Sequence, residues 1–240
     1  MRVILLVVLI FLFSAINLYP QTAQEYYNQG IQNFYNDDID LAIKNFTNAV
    51  EVNKDFAEAY LMRGRCKIEN DNFEEAIKDI DKAISINPND GTFYFYKASA
   101  FNQMKDLDQA LFFYSKAINV KKDYPDAYND RGVVYKNKDL YELALDDMDS
   151  AINLNSKNAK YFLNRGIVHS LLKEYQKGIE DFTSSLKIDT TLKEAYFGRG
   201  MAYYMTTKAD EACADFKAAF DLGFEKAGEL MRDLCKQNDN

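Results

Sequence analysis

Apolar residues return along the chain at the three- and four-residue intervals of a helix face, with polar residues between them. Phe73, Ala76, Ile77, Ile80, Ala83 and Ile84 form one such face. They predict an amphipathic helix that starts after the polar turn Asn70-Asp71-Asn72 and ends in Asn87-Pro88-Asn89-Asp90. A partner helix is predicted just before that turn, over about Ala57 to Asn70. Gly64 lies inside it, at a position where glycine costs about 1 kcal/mol relative to alanine.

The pattern then recurs every 34 residues. Gly30, Gly64, Gly132, Gly166 and Gly200 keep that interval, and Ala98 fills the remaining place. Twelve residues after them come Ala42, Ala76, Ala110, Ala144, Gly178 and Ala212. Four further on stand Phe46, Ile80, Tyr114, Met148, Phe182 and Phe216, then Ala49, Ala83, Ala117, Ala151, Ser185 and Ala219. An aromatic precedes each small residue by four: Tyr26, Tyr60, Tyr94, Tyr128, Phe162 and Tyr196. Such a period means one helical hairpin used repeatedly. Small side chains at matching heights let the two helices of a hairpin approach closely, and that packing offsets the glycine cost. The fifth copy, with Gly178 in place of alanine, is expected to be the softest.

A 34-residue helix–turn–helix with this aromatic, small, alanine, aromatic, alanine spacing resembles the tetratricopeptide repeat. The resemblance covers residues 23–222, as repeats 23–56, 57–90, 91–124, 125–158, 159–192 and 193–222. Tyrosine stands where the family has tryptophan, and only Pro88 fills the proline position at a repeat end. The resemblance implies an all-α, right-handed superhelical solenoid of antiparallel helix pairs. An amphipathic segment at 223–236 would cap it, followed by a polar tail at 237–240. The activity implied is that of a non-enzymatic scaffold that holds a peptide segment or helix of a partner protein in the groove lined by the first helices. The residues of that face are Tyr27, Ile31, Tyr35, Leu61, Arg65, Phe95, Ser99, Asn102, Asn129, Val133, Lys136, Leu163, Ile167, Phe197, Met201 and Tyr204. Its aromatics serve either as anchors for a partner or as packing between adjacent repeats. The alternative role is a structural organiser of an envelope assembly, acting through the outer surface or by self-association into a homo-oligomer.

One pairing stands out among the copies. Arg63, Arg131, Arg165 and Arg199 each precede the small residue, and sixteen residues later come Asp79, Asp147, Asp181 and Asp215. The other two copies have Gln29 with Asn45 and Lys97 with Phe113. Arginine and aspartate are present together or absent together, which favours an ion pair between the two helices of one repeat over pairing with the preceding repeat.

Composition narrows the function. With 29 Lys and Arg against 37 Asp and Glu the net charge is −8, so the basic face that nucleic acid requires is not expected. The glycines follow the repeat and form no phosphate loop. The single histidine, His169, holds a position occupied by Tyr135 and Tyr203 in neighbouring copies and reads as a packed helix residue. No catalytic, cofactor or metal site emerges. Cys66, Cys213 and Cys235 lack metal-ligand spacing. A Cys213–Cys235 disulfide would staple the cap to the last repeat; the alternative is two free thiols.

The first residues differ in kind. Arg2 is followed by an unbroken apolar run from Val3 to Phe13. It is shorter than the ~20 residues of a membrane span and matches the apolar core of an export signal. Residues 1–22 are therefore expected to be a signal peptide, with an uncleaved N-terminal anchor as the alternative. Either places the body in an exported, periplasmic or secreted setting, tethered to the membrane only if the segment remains.

Overall fold

The computed structural model describes residues 21–235; the apolar segment expected to be a signal, and the tail at 237–240, lie outside them. Among the described residues there are thirteen helices and no strand. The chain divides after Asn89 into two compact units.

The first unit holds α1 (Ala23–Tyr35), α2 (Ile39–Val52), α3 (Ala57–Glu69) and α4 (Phe73–Ile86). The second holds α5 (Gly91–Gln103), α6 (Leu107–Val120), α7 (Pro125–Asn137) and α8 (Tyr141–Leu154). It continues with α9 (Ala159–Leu171), α10 (Tyr175–Ile188), α11 (Lys193–Met205), α12 (Ala209–Asp221) and α13 (Glu225–Leu234). Odd and even helices pair as hairpins, and α13 packs singly on α12. Thr22 opens α1 with a capping box: its hydroxyl accepts from the Glu25 N–H while the Glu25 carboxylate accepts from the Thr22 N–H.

The periodic positions form the interior. Phe46, Ile80, Tyr114, Met148, Phe182 and Phe216 are buried, as are the alanines flanking them. At Gly132 an added Cβ would lie 3.1 Å from the Ala144 carbonyl oxygen and 3.2 Å from Met148 Cγ, so glycine permits the close helix approach. Gly178 is explained differently. A Cβ there would lie 2.7 Å from Ser170 Oγ, and that hydroxyl donates to the Gly166 carbonyl at 2.8 Å. Ser170 takes the room an alanine methyl would need, so Gly178 is an accommodation within the fifth repeat and not merely a gap. Ser185, fully buried, is likewise satisfied: it donates to the Ala159 carbonyl at 2.9 Å.

Each hairpin turns through a left-handed residue. Asp37, Asp71, Lys105, Asp139, Lys173 and Thr207 have φ between 56° and 65°. The turn after α1 shows why. The Asp38 N–H reaches back to the Asn33 carbonyl at 2.9 Å, and the Asp37 N–H reaches Phe34 at 3.2 Å. This Schellman pattern closes the helix end and demands a positive φ at its penultimate residue. Glycine is the usual occupant, and its absence at all six turns left no sequence signal for this feature.

Candidate functional site

The arginines pin each hairpin and also reach the one before it. Arg63 donates through Nε to Asp79 Oδ2 at 2.8 Å and through Nη2 to Asp79 Oδ1 at 2.6 Å, while Nη1 donates to Thr47 Oγ1 at 3.2 Å. The geometry recurs at Arg131 with Asp147 and Ser115, and at Arg199 with Asp215 and Thr183. It recurs again at Arg165 with Asp181 and Asp149. The pairing partner is the aspartate of the same hairpin; the third contact, sixteen residues upstream, was not evident from sequence. For Arg165 the hydrogen bonds it donates to Asp181 outweigh burial, and the guanidinium pKa rises above its ordinary value. A fork of this kind fixes the angle between neighbouring hairpins more than it stabilises them.

The predicted first-helix residues occupy different environments. Leu61, Asn129 and Leu163 are buried, at 7%, 6% and 9% exposure; Leu163 packs on Phe182, Leu186 and Ala195. Tyr27, Phe95 and Phe197 pack mainly against the aromatic that precedes the following first helix or the cap. Their ring centroids lie 5.0, 5.1 and 4.7 Å from Phe56, Tyr124 and Phe224 respectively. Ile31 joins the first-unit core, Ser99 hydrogen-bonds Tyr114, and Asn102 is half-buried. The Arg65 guanidinium lies 5.0 Å over the Phe34 ring. Lys136 is half-buried, and burial lowers its ammonium pKa. Tyr35 and Tyr204 are exposed, at 79% and 44%.

Two recesses open on the first helices of the second unit. One, of about 440 Å³, is apolar: Ile167, Leu171, Phe197, Met201, Met205 and Phe224 line it, with Glu194 as its carboxylate. The other, of about 490 Å³, is polar and includes Phe95, Asn129 and Val133 of the predicted face. Sequence reasoning missed the rest of its lining, notably Asp126, Asp130, Lys160, Tyr161 and Asn164. Asn164 Nδ2 donates to Asn129 Oδ1 at 2.9 Å, and Asn129 Nδ2 donates to Asp130 Oδ1 at 2.9 Å. The Tyr161 hydroxyl donates to Asp126. Burial pushes the Asp130 carboxyl up to about 6, against the Asn129 hydrogen bond. One signal for this site did exist in the chain. Asp130 falls on a repeat position whose other occupants are Asn28, Met62, Tyr96, Asn164 and Gly198, none of them charged. In the first unit a third recess of about 650 Å³ sits at the turns, beside Asp37, Asp40 and Glu69.

Models of the tetratricopeptide repeat match residues 57–90 and 125–158, and a TPR-repeat model matches 98–139. The chain is built of tetratricopeptide repeats. No curated protein sequence matches it. Solved tetratricopeptide-like structures share its fold. A chain of the APC/C hetero-tetramer Cut9–Hcn1 superposes with a TM-score of 0.80 at 17% identity, over 93% of this chain and 45% of that one. The chain thus spans under half the length of that relative. PilF of Pseudomonas aeruginosa gives a TM-score of 0.77 at 13% identity, covering 88% of this chain and 97% of that one. YrrB, described as a TPR protein with an unusual peptide-binding site, gives 0.59 at 20% identity over 74% and 92% of the two chains. At these identities the likeness is one of fold.

The remaining cysteines and the histidine lie within the repeats and at the end of the last helix. Cys213 and Cys235 form a disulfide with Cα atoms 5.8 Å apart, tying α13 to the last repeat. Cys66 is buried, and burial pushes its thiol up to about 11, which makes it unreactive. His169 Nδ1 lies 2.7 Å from Glu174 Oε2, and its Nε2 lies 3.8 Å from Asp181 Oδ2, beside the fifth repeat's arginine fork. Among the described residues no group of three side chains could hold a metal, and no helix is long and apolar enough to cross a membrane.

Proposed function

We propose that the chain is a protein-interaction scaffold that takes a segment of a partner protein on the first-helix face of its second unit. The observation that carries this reading is the pair of recesses flanking α9, one polar and one apolar, on the helices that tetratricopeptide repeats offer to ligands. A rigid face of this kind lowers the ordering cost of binding. The export reading rests on the Val3–Phe13 run after Arg2, together with a disulfide of the kind that persists outside the cytoplasm.

The test is capture from the native envelope fraction by the mature chain. Met201→Glu and Asn164→Ala should abolish recovery of the partner, while Leu143→Glu on a second helix should not. The organiser reading has its own support: Phe112 and Leu143, on second helices, are 53% and 45% exposed. Loss of the partner with Leu143→Glu and its retention with Met201→Glu would favour that reading instead.

A further inference from the structure

We propose that the polar recess receives a cationic side chain, lysine or arginine, from an extended segment of the partner, and that the apolar recess receives an apolar side chain of the same segment. This rests on the scaffold reading above and names the chemistry of the partner.

The recess holds two carboxylates one helical turn apart, Asp126 and Asp130 of α7. Asp130 is the more deeply set, and its hydrogen-bond partner is neutral: the Asn129 carboxamide. Among the described residues Asp130 makes no ion pair; Lys160 of α9 acts on it only through space. The other titratable groups around it are anionic or neutral: Asp126 on its own helix, Tyr161 of α9, Tyr114 of α6 and Tyr124 before α7. A carboxylate taken out of water without a cation works against folding. The fourth repeat nevertheless carries one at a position that is uncharged in every other copy. Such a local conflict with stability is characteristic of binding sites.

The remaining lining suits the same ligand. Phe95 borders the recess and gives an apolar wall for an alkyl stem. The volume of about 490 Å³ admits a lysine or arginine side chain with water. An anionic group would meet two carboxylates against one lysine. The apolar recess lies on the other side of α9, with Ile167 three residues beyond Asn164. Packed helices stand ~8–10 Å apart, so the two recesses are separated by about three residues of extended chain.

The experiment is selection of random twelve-residue peptides displayed on phage against the full chain. Enriched peptides should contain lysine or arginine with a large apolar residue about three positions away. A synthetic enriched peptide should bind the folded Asp126→Asn/Asp130→Asn chain at least 10-fold more weakly. Replacing its basic residue by norleucine should weaken binding to the wild-type chain by a similar factor and add little in the variant. If the double variant fails to fold by circular dichroism, Asp130→Asn alone is used with the same peptide pair. Enrichment of peptides without basic residues, equal binding of the norleucine peptide, or no enrichment would overturn the proposal. Peptides that lack a basic residue yet lose binding to Met201→Glu would leave the scaffold reading standing while removing this one.

Discussion

Lys97 places its ammonium 4.3 Å over the ring of Phe113, at the two positions that hold arginine and aspartate in four other repeats. Phe113 in turn stacks on Phe101, four residues after Lys97, with centroids 5.5 Å apart. In the first repeat Asn45, at the aspartate position, donates from Nδ2 to Asn33 Oδ1 at 2.8 Å; Asn33 lies one turn beyond Gln29, which holds the arginine position. The second repeat adds Lys67, whose ammonium lies 2.9 Å from Asp79 Oδ2. One inter-helix locus is thus filled by three self-consistent chemistries, an ionic fork, a cation–π stack and an amide pair. In the four forked repeats the two residues bond each other directly, which is why arginine and aspartate occur there together.

The fork predicts an asymmetry between single and double substitutions. Asp147→Ala leaves the partly buried Arg131 charge without its carboxylate and should cost about 3 kcal/mol, the low end of the range for a buried pair. Arg131→Met/Asp147→Leu should recover most of that loss. Urea unfolding followed by circular dichroism checks both, and equal losses would refute the pairing.

Asp130 makes stability depend on pH in a specific direction. Its folded pKa, about 6, lies above the ordinary carboxylate value of 3.8, so the folded chain holds this proton more tightly than the unfolded one. The resulting stabilisation is present below the unfolded pKa and is lost as pH rises through about 6. Asp130→Asn should therefore raise stability at pH 7 by roughly 2–3 kcal/mol, and the difference should vanish below pH 4. Thermal melts of both proteins across pH 3.5–7.5 test this.

The left-handed turn residues predict a gain from glycine. Lys105→Gly and Lys173→Gly relieve a strained φ while leaving the turn hydrogen bonds in place. After the entropy lost to a freer unfolded chain, each should add about 0.5–1 kcal/mol. Denaturation midpoints read the change.

The disulfide closes a sequence separation of 22 residues at the C-terminal end. Cys213→Ser/Cys235→Ser should destabilise α12 and α13 by about 2–4 kcal/mol. Reductant should reproduce the loss in the wild-type chain and do nothing further to the variant. Cys66 should resist thiol reagents until the chain unfolds.

The interior was legible because its positions repeat. Gly132 and Ala144 announce a close helix crossing through side-chain size alone, and the period carries the same statement to every hairpin. Arg63 and Asp79 were legible because four copies change in concert. The outer arm of the fork, to Thr47 or Ser115, was hidden because hydroxyl residues are common on exposed helix faces. The polar recess was only partly visible. Asn129 and Phe95 lie on the face that the repeat geometry selects, whereas Asp126 and Lys160 enter from the starts of α7 and α9, where charges usually serve the helix end. Leu61, Asn129 and Leu163 share one face by spacing and all three are buried, which residue spacing does not encode.

The proposed partner site spans α7, α9 and α11. Hydrogen exchange of the full chain, with and without a saturating selected peptide, measures this directly. Slower exchange is predicted within residues 125–137, 159–171 and 193–205, the three first helices, with α8, α10 and α12 unchanged. Protection confined to the second helices, or to the first unit, would contradict it.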